Sequence, residues 1–122
     1  MMNLPLYPDG FSPRPPDEVE IKTIETVVYP DRRRVFLHLA VTPFTERPNM
    51  LIVVRDPTGR IAAELSVIET MHHDMEFTLH LRIPGDTAGD YTLSVELFYD
   101  TRNPPQARAE ATFTVPEAPA QL

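Results

Sequence analysis

Four histidines are the side chains of this 122-residue chain best suited to acid–base or metal chemistry near neutral pH. The run His72-His73-Asp74 has ligand atoms that zinc or nickel prefers. Adjacent histidines on an extended chain point in opposite directions, however, and a stable site needs three converging ligands. We therefore expect a solvated loop and no metal, with His72, His73 and Asp74 as the ligands only if a metal does bind.

The other two histidines, His38 and His80, stand at outward positions of two predicted strands. The second and fifth strands of a seven-stranded sandwich are neighbours in one sheet, so this pattern predicts that the two rings face each other. Together with Phe36 they would form an outward, partly aromatic patch, which suits a protein contact or a sugar ring better than catalysis. The alternative is a surface pair without a ligand, since cross-strand neighbours need no functional reason.

No other group of residues has the spacing of a catalytic or cofactor motif. The serines Ser12, Ser66 and Ser94 lie outside any Gly-x-Ser-x-Gly context, and the chain has no cysteine for a thiol nucleophile, a disulfide or a thiolate metal site. Its four glycines all stand in turn contexts, so there is no glycine-rich phosphate loop. We predict a protein that is not an enzyme and has no cofactor and no catalytic residue.

The net charge and hydropathy of the chain limit which binding partners and which cellular compartment we expect. The formal net charge of −7 would repel a phosphate backbone, so we expect no nucleic-acid partner. The basic run Arg32-Arg33-Arg34 stands where we expect a turn, and we interpret it as solvated. The chain shows neither a secretory signal nor a membrane-spanning run, which predicts a cytoplasmic protein without membrane insertion, or an extracytoplasmic one if the chain is a fragment of a longer protein.

The N-terminal stretch differs from the rest of the chain. Five prolines in residues 1–17 exclude a helix and favour an extended or polyproline conformation. We divide the chain into a proline-rich extended arm at 1–17, a folded domain at 18–116 and a flexible tail at 117–122. The arm carries apolar residues that a sandwich does not need, and such residues are typical of a contact surface: Leu4, Leu6, Tyr7 and Phe11.

Seven stretches of the domain show the period-two alternation of β-strands: 19–28, 35–41, 50–56, 61–67, 77–83, 91–99 and 107–115. The first alternates imperfectly, and a bulge near Lys22 or Thr23 would restore one apolar face. The run Asp56-Pro57-Thr58-Gly59 is typical of a tight turn between the third and fourth strands. No segment shows a helical period, so we predict an all-β, seven-stranded antiparallel immunoglobulin-like β-sandwich with Greek-key connections.

Residues 50–95 resemble bacterial immunoglobulin-like and macroglobulin-type modules. The shared features are an apolar strand, the hairpin at 56–59, a strand that ends at Ile83-Pro84, and the stretch Gly89-Asp90-Tyr91-Thr92-Leu93-Ser94-Val95. Tyr91 stands where such folds place the tyrosine that locks a connection between the sheets. The chain departs from antibody-type domains, since it has no cysteine or tryptophan and has Leu93 where the second cysteine would lie. The resemblance implies a modular scaffold that binds a partner or spaces other domains.

These observations predict a non-catalytic protein-interaction or accessory module, whose partner is another protein or a second copy bound through the arm or a sheet edge. The side chains expected to make contact are Leu4, Leu6, Tyr7, Phe11, Phe36, His38, His80 and Phe98. An alternative is a module that binds a carbohydrate or another small ligand on an outward face formed by Phe36, His38, His80 and Phe98. A third possibility, from another class, is a metal-binding protein that uses the His72-His73-Asp74 loop.

Overall fold

Seven strands in two antiparallel sheets make up the fold. A computed structural model describes residues 12–119, in which a 3₁₀ turn at Pro16–Glu18 is followed by β1 (Ile21–Val28), β2 (Arg34–Val41), β3 (Asn49–Arg55), β4 (Ile61–Val67), β5 (Asp74–His80), β6 (Gly89–Phe98) and β7 (Ala107–Val115). One sheet has the order β1-β2-β5 and the other β4-β3-β6-β7. This arrangement confirms the predicted immunoglobulin-like sandwich with Greek-key connections.

The core lies between the sheets and is formed by alternate residues of each strand. Burial of this apolar surface is the main force that holds the two sheets together. The bulge expected in β1 is confirmed, because its register against β2 shifts between Ile21 and Thr23. The inward residues of β2 and β6 are almost completely buried, as the alternation predicts: Val35, Leu37, Leu39 and Val41, with Tyr91, Leu93, Val95 and Leu97.

A second bulge lies in the β3–β4 hairpin and was not expected from the sequence. Val54 is opposite Ala63, whereas Arg55 is opposite Ile61, so Ala62 is the additional residue. The alternation predicts that Ile61 and Ala63 share one face, and this prediction is wrong for Ile61, which is 48% exposed. The bulge instead turns Ala62 into the core and leaves the Ile61 side chain exposed on the edge strand β4.

The fifth strand spans Asp74–His80 and therefore begins and ends earlier than the predicted 77–83. Beyond its last residue the backbone turns toward the other sheet, where the Arg82 amide donates a hydrogen bond to the Ala62 carbonyl at 2.7 Å. Leu81 is still buried, so the apolar alternation continues past the point where strand pairing stops. The alternation of side chains continues past His80, so it does not show that the backbone there stops pairing with β2 and bonds to β4 of the other sheet.

A tyrosine corner fixes the connection between β5 and β6. The Tyr91 hydroxyl donates a buried hydrogen bond to the Thr87 carbonyl at 2.7 Å, which confirms the expected role of this residue. Its ring stacks on that of Phe113 in β7, with centroids 5.2 Å apart and planes 6° from parallel. Tyr91 therefore links the connection that crosses between the two sheets to the pairing of β6 with β7.

The Asp56 turn closes the β3–β4 hairpin as predicted. The Asp56 carboxylate is almost completely buried and accepts hydrogen bonds from the Thr58 hydroxyl at 2.7 Å and from the Thr58 and Arg60 amides at 2.9 Å. These bonds, the one from the Thr58 hydroxyl first, hold the pKa of Asp56 below its ordinary value. Gly89 packs against this turn with φ at +134°, and a Cβ there would lie 2.6 Å from Pro57 Cγ.

The arginine run is bound to the connection that precedes β6 rather than left in solvent. The Arg32 guanidinium pairs through Nη2 with Asp86 Oδ1 at 2.6 Å, and its Nε donates to the Pro116 carbonyl at 2.8 Å. Arg33 donates to the Gly85 carbonyl at 2.6 Å. The sequence interpretation of a solvated run is therefore wrong for Arg32, whose side chain is mostly buried.

The chain enters and leaves the sandwich at opposite ends. We call the N-terminal end the one formed by the connections 42–48, 68–73 and 99–106, beside the start of β1. The C-terminal end is formed by the connections 29–33, 56–60 and 81–88, beside the last residue of β7. The two ends differ in character, because the C-terminal end is held by the arginine, tyrosine and aspartate contacts described above.

Replacing Tyr91 by phenylalanine tests the corner. The ring and its stacking remain, but the buried Thr87 carbonyl loses its donor, so we expect the free energy of unfolding to fall by about 1–3 kcal/mol in urea denaturation. Tyr99→Phe is the matched control, because its exposed hydroxyl donates to the Glu46 carbonyl at a longer 3.2 Å. Equal losses in the two variants would contradict the assigned role of Tyr91.

Replacing Gly89 by alanine tests the contact with Pro57. We expect Gly85→Ala to cost about 1 kcal/mol, because Gly85 has φ at +78° but open space around it. Gly89→Ala should cost about 1–3 kcal/mol more, because its new methyl group overlaps the proline ring. Thermal unfolding of both variants measures the difference, and similar melting temperatures would show that the Pro57 contact does not constrain the fold.

Candidate interaction surfaces

The outer face of the three-stranded sheet carries the histidines and aromatic residue singled out in the sequence. Strand register places His38 between Glu25 on β1 and Glu76 on β5. The next row along the sheet contains Phe36, which is half-buried, beside Val27, which is 59% exposed. The centre of this face is therefore a histidine among carboxylates, with an apolar row next to it.

The His38 ring connects all three strands of that sheet. Its Nδ1 lies 2.6 Å from Glu25 Oε1 on β1, and its Nε2 lies 2.8 Å from Asp74 Oδ1 on β5. The hydrogen bond with Glu25, followed by that with Asp74, raises the pKa of His38 above its ordinary value of 6.5, and partial desolvation opposes them. A charged His38 therefore stabilises pairing on both sides of β2.

The expected pairing of His38 with His80 does not form. The second and fifth strands are neighbours, as predicted, but His38 lies opposite Glu76 and His80 lies opposite Arg34. Alternation assigns each histidine to the outer face correctly, yet it carries no information about register. The prediction that His38 and His80 form one patch is therefore wrong. His80 is exposed and is the last residue of β5, whereas the His38 ring contacts Asp74, the first residue of that strand.

The two aromatic residues of the proposed ligand face lie on opposite sides of the molecule. Phe36 points outward from the three-stranded sheet, and Phe98 points outward from the four-stranded sheet, where it lies opposite Asn49. The outward parity predicted for each is confirmed. The single binding face composed of Phe36, His38, His80 and Phe98 is nevertheless wrong, because the sandwich core separates its members.

The His72-His73-Asp74 run leads into β5 and does not gather ligands. Asp74 is the first residue of the strand and turns its carboxylate to His38, while the His73 carbonyl accepts a hydrogen bond from the Val41 amide. Within residues 12–119, no group of three histidine or carboxylate side chains is placed to hold a metal ion. In the same part of the chain, no helix is long and apolar enough to cross a membrane.

The apolar arm residues Leu4, Leu6, Tyr7 and Phe11 lie outside the described residues, so their expected contacts stay a prediction. The described part of the arm is attached to the connection between β2 and β3. The Arg14 amide donates to the Pro43 carbonyl at 2.8 Å, and the Arg14 carbonyl accepts from the Thr45 amide at 2.9 Å. These bonds place Arg14, within the described part of the arm, at the N-terminal end of the sandwich.

The N-terminal end also carries an apolar pair that sequence reasoning missed. Ile68 and Met71, in the connection between β4 and β5, are each 69% exposed. A groove of about 750 Å³ adjoins Ile68 and is lined by Pro16, Glu46, Arg47, Asn49, Ile68, Glu69, Tyr99 and Asp100. The available signal was the presence of two large apolar residues, Ile68 and Met71, in the short segment that follows the predicted fourth strand.

Asn49 holds the backbone around this groove. Its Oδ1 accepts a hydrogen bond from the Glu69 amide at 2.8 Å, and its Nδ2 donates to the Tyr99 carbonyl at 3.0 Å. Glu69 adopts φ at +45°, a conformation that non-glycine residues rarely take without such support. The position of Ile68 is therefore set by a side chain on the neighbouring strand β3.

A second groove, of about 400 Å³, lies between the edge strands of the two sheets. Its rim carries Glu64, His80 and Arg82, and its floor is formed by alanine and leucine side chains of β4 and β5. The hydrogen bond from Arg82 to Ala62 closes one end. Neither Phe36 nor Phe98 lines it, so this groove lacks the aromatic platform expected for a sugar ring.

Comparison with known proteins identifies the fold. No protein-family model and no curated protein matches this sequence. Among solved structures, a β-glucuronidase from Bifidobacterium dentium complexed with coumarin-3-O-glucuronide aligns over 80% of this chain and 18% of its own, with a TM-score of 0.58 and 15% identity. A glycosyl hydrolase family 2 member from Bacteroides cellulosilyticus aligns over 80% of this chain and 15% of its own, with a TM-score of 0.55 and 13% identity.

This chain therefore spans less than a fifth of the length of those enzymes. At such low identity the similarity establishes a shared architecture and no shared activity. The part of the chain that the structure describes is an immunoglobulin-like β-sandwich of a kind that also occurs as one segment of much longer chains.

Replacing Asn49 by alanine tests the support of the Ile68 connection. We expect amide hydrogen exchange at Glu69 to become about fivefold faster, since the loss of one hydrogen bond is worth about 1 kcal/mol. Asn49→Asp is the comparison variant, because it keeps an acceptor for the Glu69 amide but turns a carboxylate oxygen, instead of a donor, toward the Tyr99 carbonyl. Unchanged exchange at Glu69 in Asn49→Ala would show that the connection is held by other contacts.

Proposed function

We propose that this protein is a non-catalytic accessory module that assembles with a second copy of itself through the N-terminal end of the sandwich. The observation that carries the proposal is the exposure of two large apolar residues of one connection on that end, Ile68, which lines a groove, and Met71, three residues further along the chain. Large apolar side chains that a core leaves exposed together are typical of a contact surface. The pair lies on a connection that Asn49 holds in place, so the surface is formed before a partner arrives.

The distribution of charge at this end suits contact between identical surfaces. Arg47 lies among the carboxylates of Glu46, Glu69 and Asp100 in the lining of the groove. Within residues 12–119, Arg47 takes part in none of the ion pairs. In a two-fold contact each surface meets its own copy, so Arg47 of one chain would reach carboxylates of the other while the apolar pairs pack at the centre.

The fold and topology support a modular role. The chain enters the sandwich at one end and leaves it at the other, which is the geometry of a unit placed in series with other units. The similar segments found in the glycosidases form only 15–18% of those chains, which fits an accessory segment better than a complete enzyme. Self-association of such a unit would bring whatever is attached to it into pairs.

Light scattering after size exclusion tests this function on the full chain over a range of concentrations. We expect a dimer that is weakened at least about tenfold by the double change Ile68→Glu and Met71→Glu. The matched control is Val27→Glu with Ile61→Glu, which adds the same charge at exposed apolar positions elsewhere and should leave the dimer intact. Reversal of the charge in Arg47→Glu should weaken it as well.

Two results would overturn the proposal. One is a monomer in the unchanged protein at every concentration. The other is a dimer that survives the change of Ile68 and Met71 but is lost when residues 1–11 are removed, since association would then depend on the arm. Folding of each variant is checked by its melting temperature, so that loss of association is not confused with loss of structure.

A carbohydrate-binding module is the second candidate, favoured by the glycosidase structures that share the fold and by the polar rim of the groove between β4 and β5. Arg82 and His80 on that rim are suited to a carboxylate-bearing sugar. Titration with coumarin-3-O-glucuronide, followed through backbone amide shifts, tests it. Saturable shifts around Arg82 that disappear in Arg82→Ala would favour this function, whereas we expect none.

A further inference from the structure

Both ring nitrogens of His38 lie within hydrogen-bonding distance of a carboxylate oxygen, one on each flanking strand. A neutral imidazole has a single N–H, so it satisfies only one of these contacts and turns a lone pair toward the other oxygen. Only the doubly protonated ring donates to both. We propose that His38 is a pH-sensitive strap, which as an imidazolium ties the three strands of its sheet together and which opens on the β5 side when it loses a proton.

The surroundings of the ring favour the charged form. The charged groups that face it are Glu25 from β1 and Asp74 and Glu76 from β5. Along β2 itself the next outward charge is Arg34, which is already paired with Asp31 at 2.7 Å. The cation at the bulge of β1, Lys22, is likewise already paired, with Glu20 at 3.1 Å. Deprotonation therefore leaves a neutral ring among carboxylates.

The two contacts differ in length, and we expect the longer one to open when the ring loses a proton. The distance from Nδ1 to Glu25 is 2.6 Å, whereas that from Nε2 to Asp74 is 2.8 Å, and the shorter charge-assisted bond is the stronger one. A neutral ring should therefore keep its proton on Nδ1 and release Asp74. Since Asp74 is the first residue of β5, release would loosen the start of that strand and leave the β1–β2 pairing in place.

The direction of the pH effect follows from proton linkage. The folded protein binds the His38 proton more tightly than the unfolded chain does, because the pKa of this histidine is raised above 6.5. The stabilisation is complete below 6.5 and is lost as the pH rises through the raised folded value. The side chain is 26% exposed, so its proton exchanges with solvent without unfolding.

Nitrogen-15 NMR of the full-length protein tests the proposal directly. At about pH 6 we expect both His38 ring nitrogens to carry a proton, with a titration midpoint above 6.5. Above the midpoint the proton should remain on Nδ1, and amide exchange should accelerate at the start of β5 relative to β1. This test is independent of self-association, since it reads the ring and the strand within one chain.

Variants of the neighbouring carboxylates distinguish the effect of the two hydrogen bonds to His38 from the effect of nearby negative charge in general. Glu25→Gln and Asp74→Asn should each lower the His38 midpoint. Glu76→Gln is the matched control, because this carboxylate faces the ring but is not among its hydrogen-bond partners within the described residues, so the midpoint should fall less. His38→Gln should remove the part of the melting-temperature change that occurs between 6.5 and the measured midpoint.

Three results would overturn the proposal. A His38 midpoint at or below 6.5 would show that the two carboxylates do not hold the proton. Equal changes of the His38 titration midpoint in Glu76→Gln and Asp74→Asn would show that it depends on the surrounding negative charge and not on the hydrogen bond to Asp74. Exchange that accelerates equally in β1 and β5 would show that no particular contact opens.

Discussion

The buried hydrogen bond from Tyr91 to the Thr87 carbonyl is the constraint on which the rest of the sandwich depends. The chain crosses from the three-stranded to the four-stranded sheet just before Tyr91, and the bond fixes where β6 begins. Because the side-chain period of a strand is two, a slip of one residue here would turn the inward set of β6 to solvent. Stacking of Tyr91 on Phe113 carries the same register into β7.

The corner also explains why the two ends of the molecule differ. Arg32 binds Asp86 and the Pro116 carbonyl, and its own carbonyl accepts from the Thr87 hydroxyl at 2.6 Å, so its side chain and backbone are used within the fold. The N-terminal end has its own support from Asn49, yet leaves Ile68 and Met71 exposed. Structural contacts thus occupy the C-terminal end, whereas two large apolar side chains stay exposed at the opposite one.

Much of the fold was predictable because alternation reports which side of a strand faces the core. This was sufficient for β2 and β6, for the bulge near Thr23, and for the corner at Tyr91. Alternation does not report which residue lies opposite, so the His38 and His80 pair was misplaced and the Glu25 and Asp74 contacts were missed. Nor does it assign a strand to a sheet, so Phe36 and Phe98 were joined into one face although the core separates them.

We propose that copies of this module meet through the N-terminal end of the sandwich. The most direct measurement is the change in backbone amide chemical shifts as a concentrated sample is diluted, because it locates the contact residue by residue without altering the protein. We expect the shifts to be confined to residues around Ile68, Met71 and Arg47. Shifts centred instead on the outer face around Phe36, or no dependence on concentration, would contradict the claim.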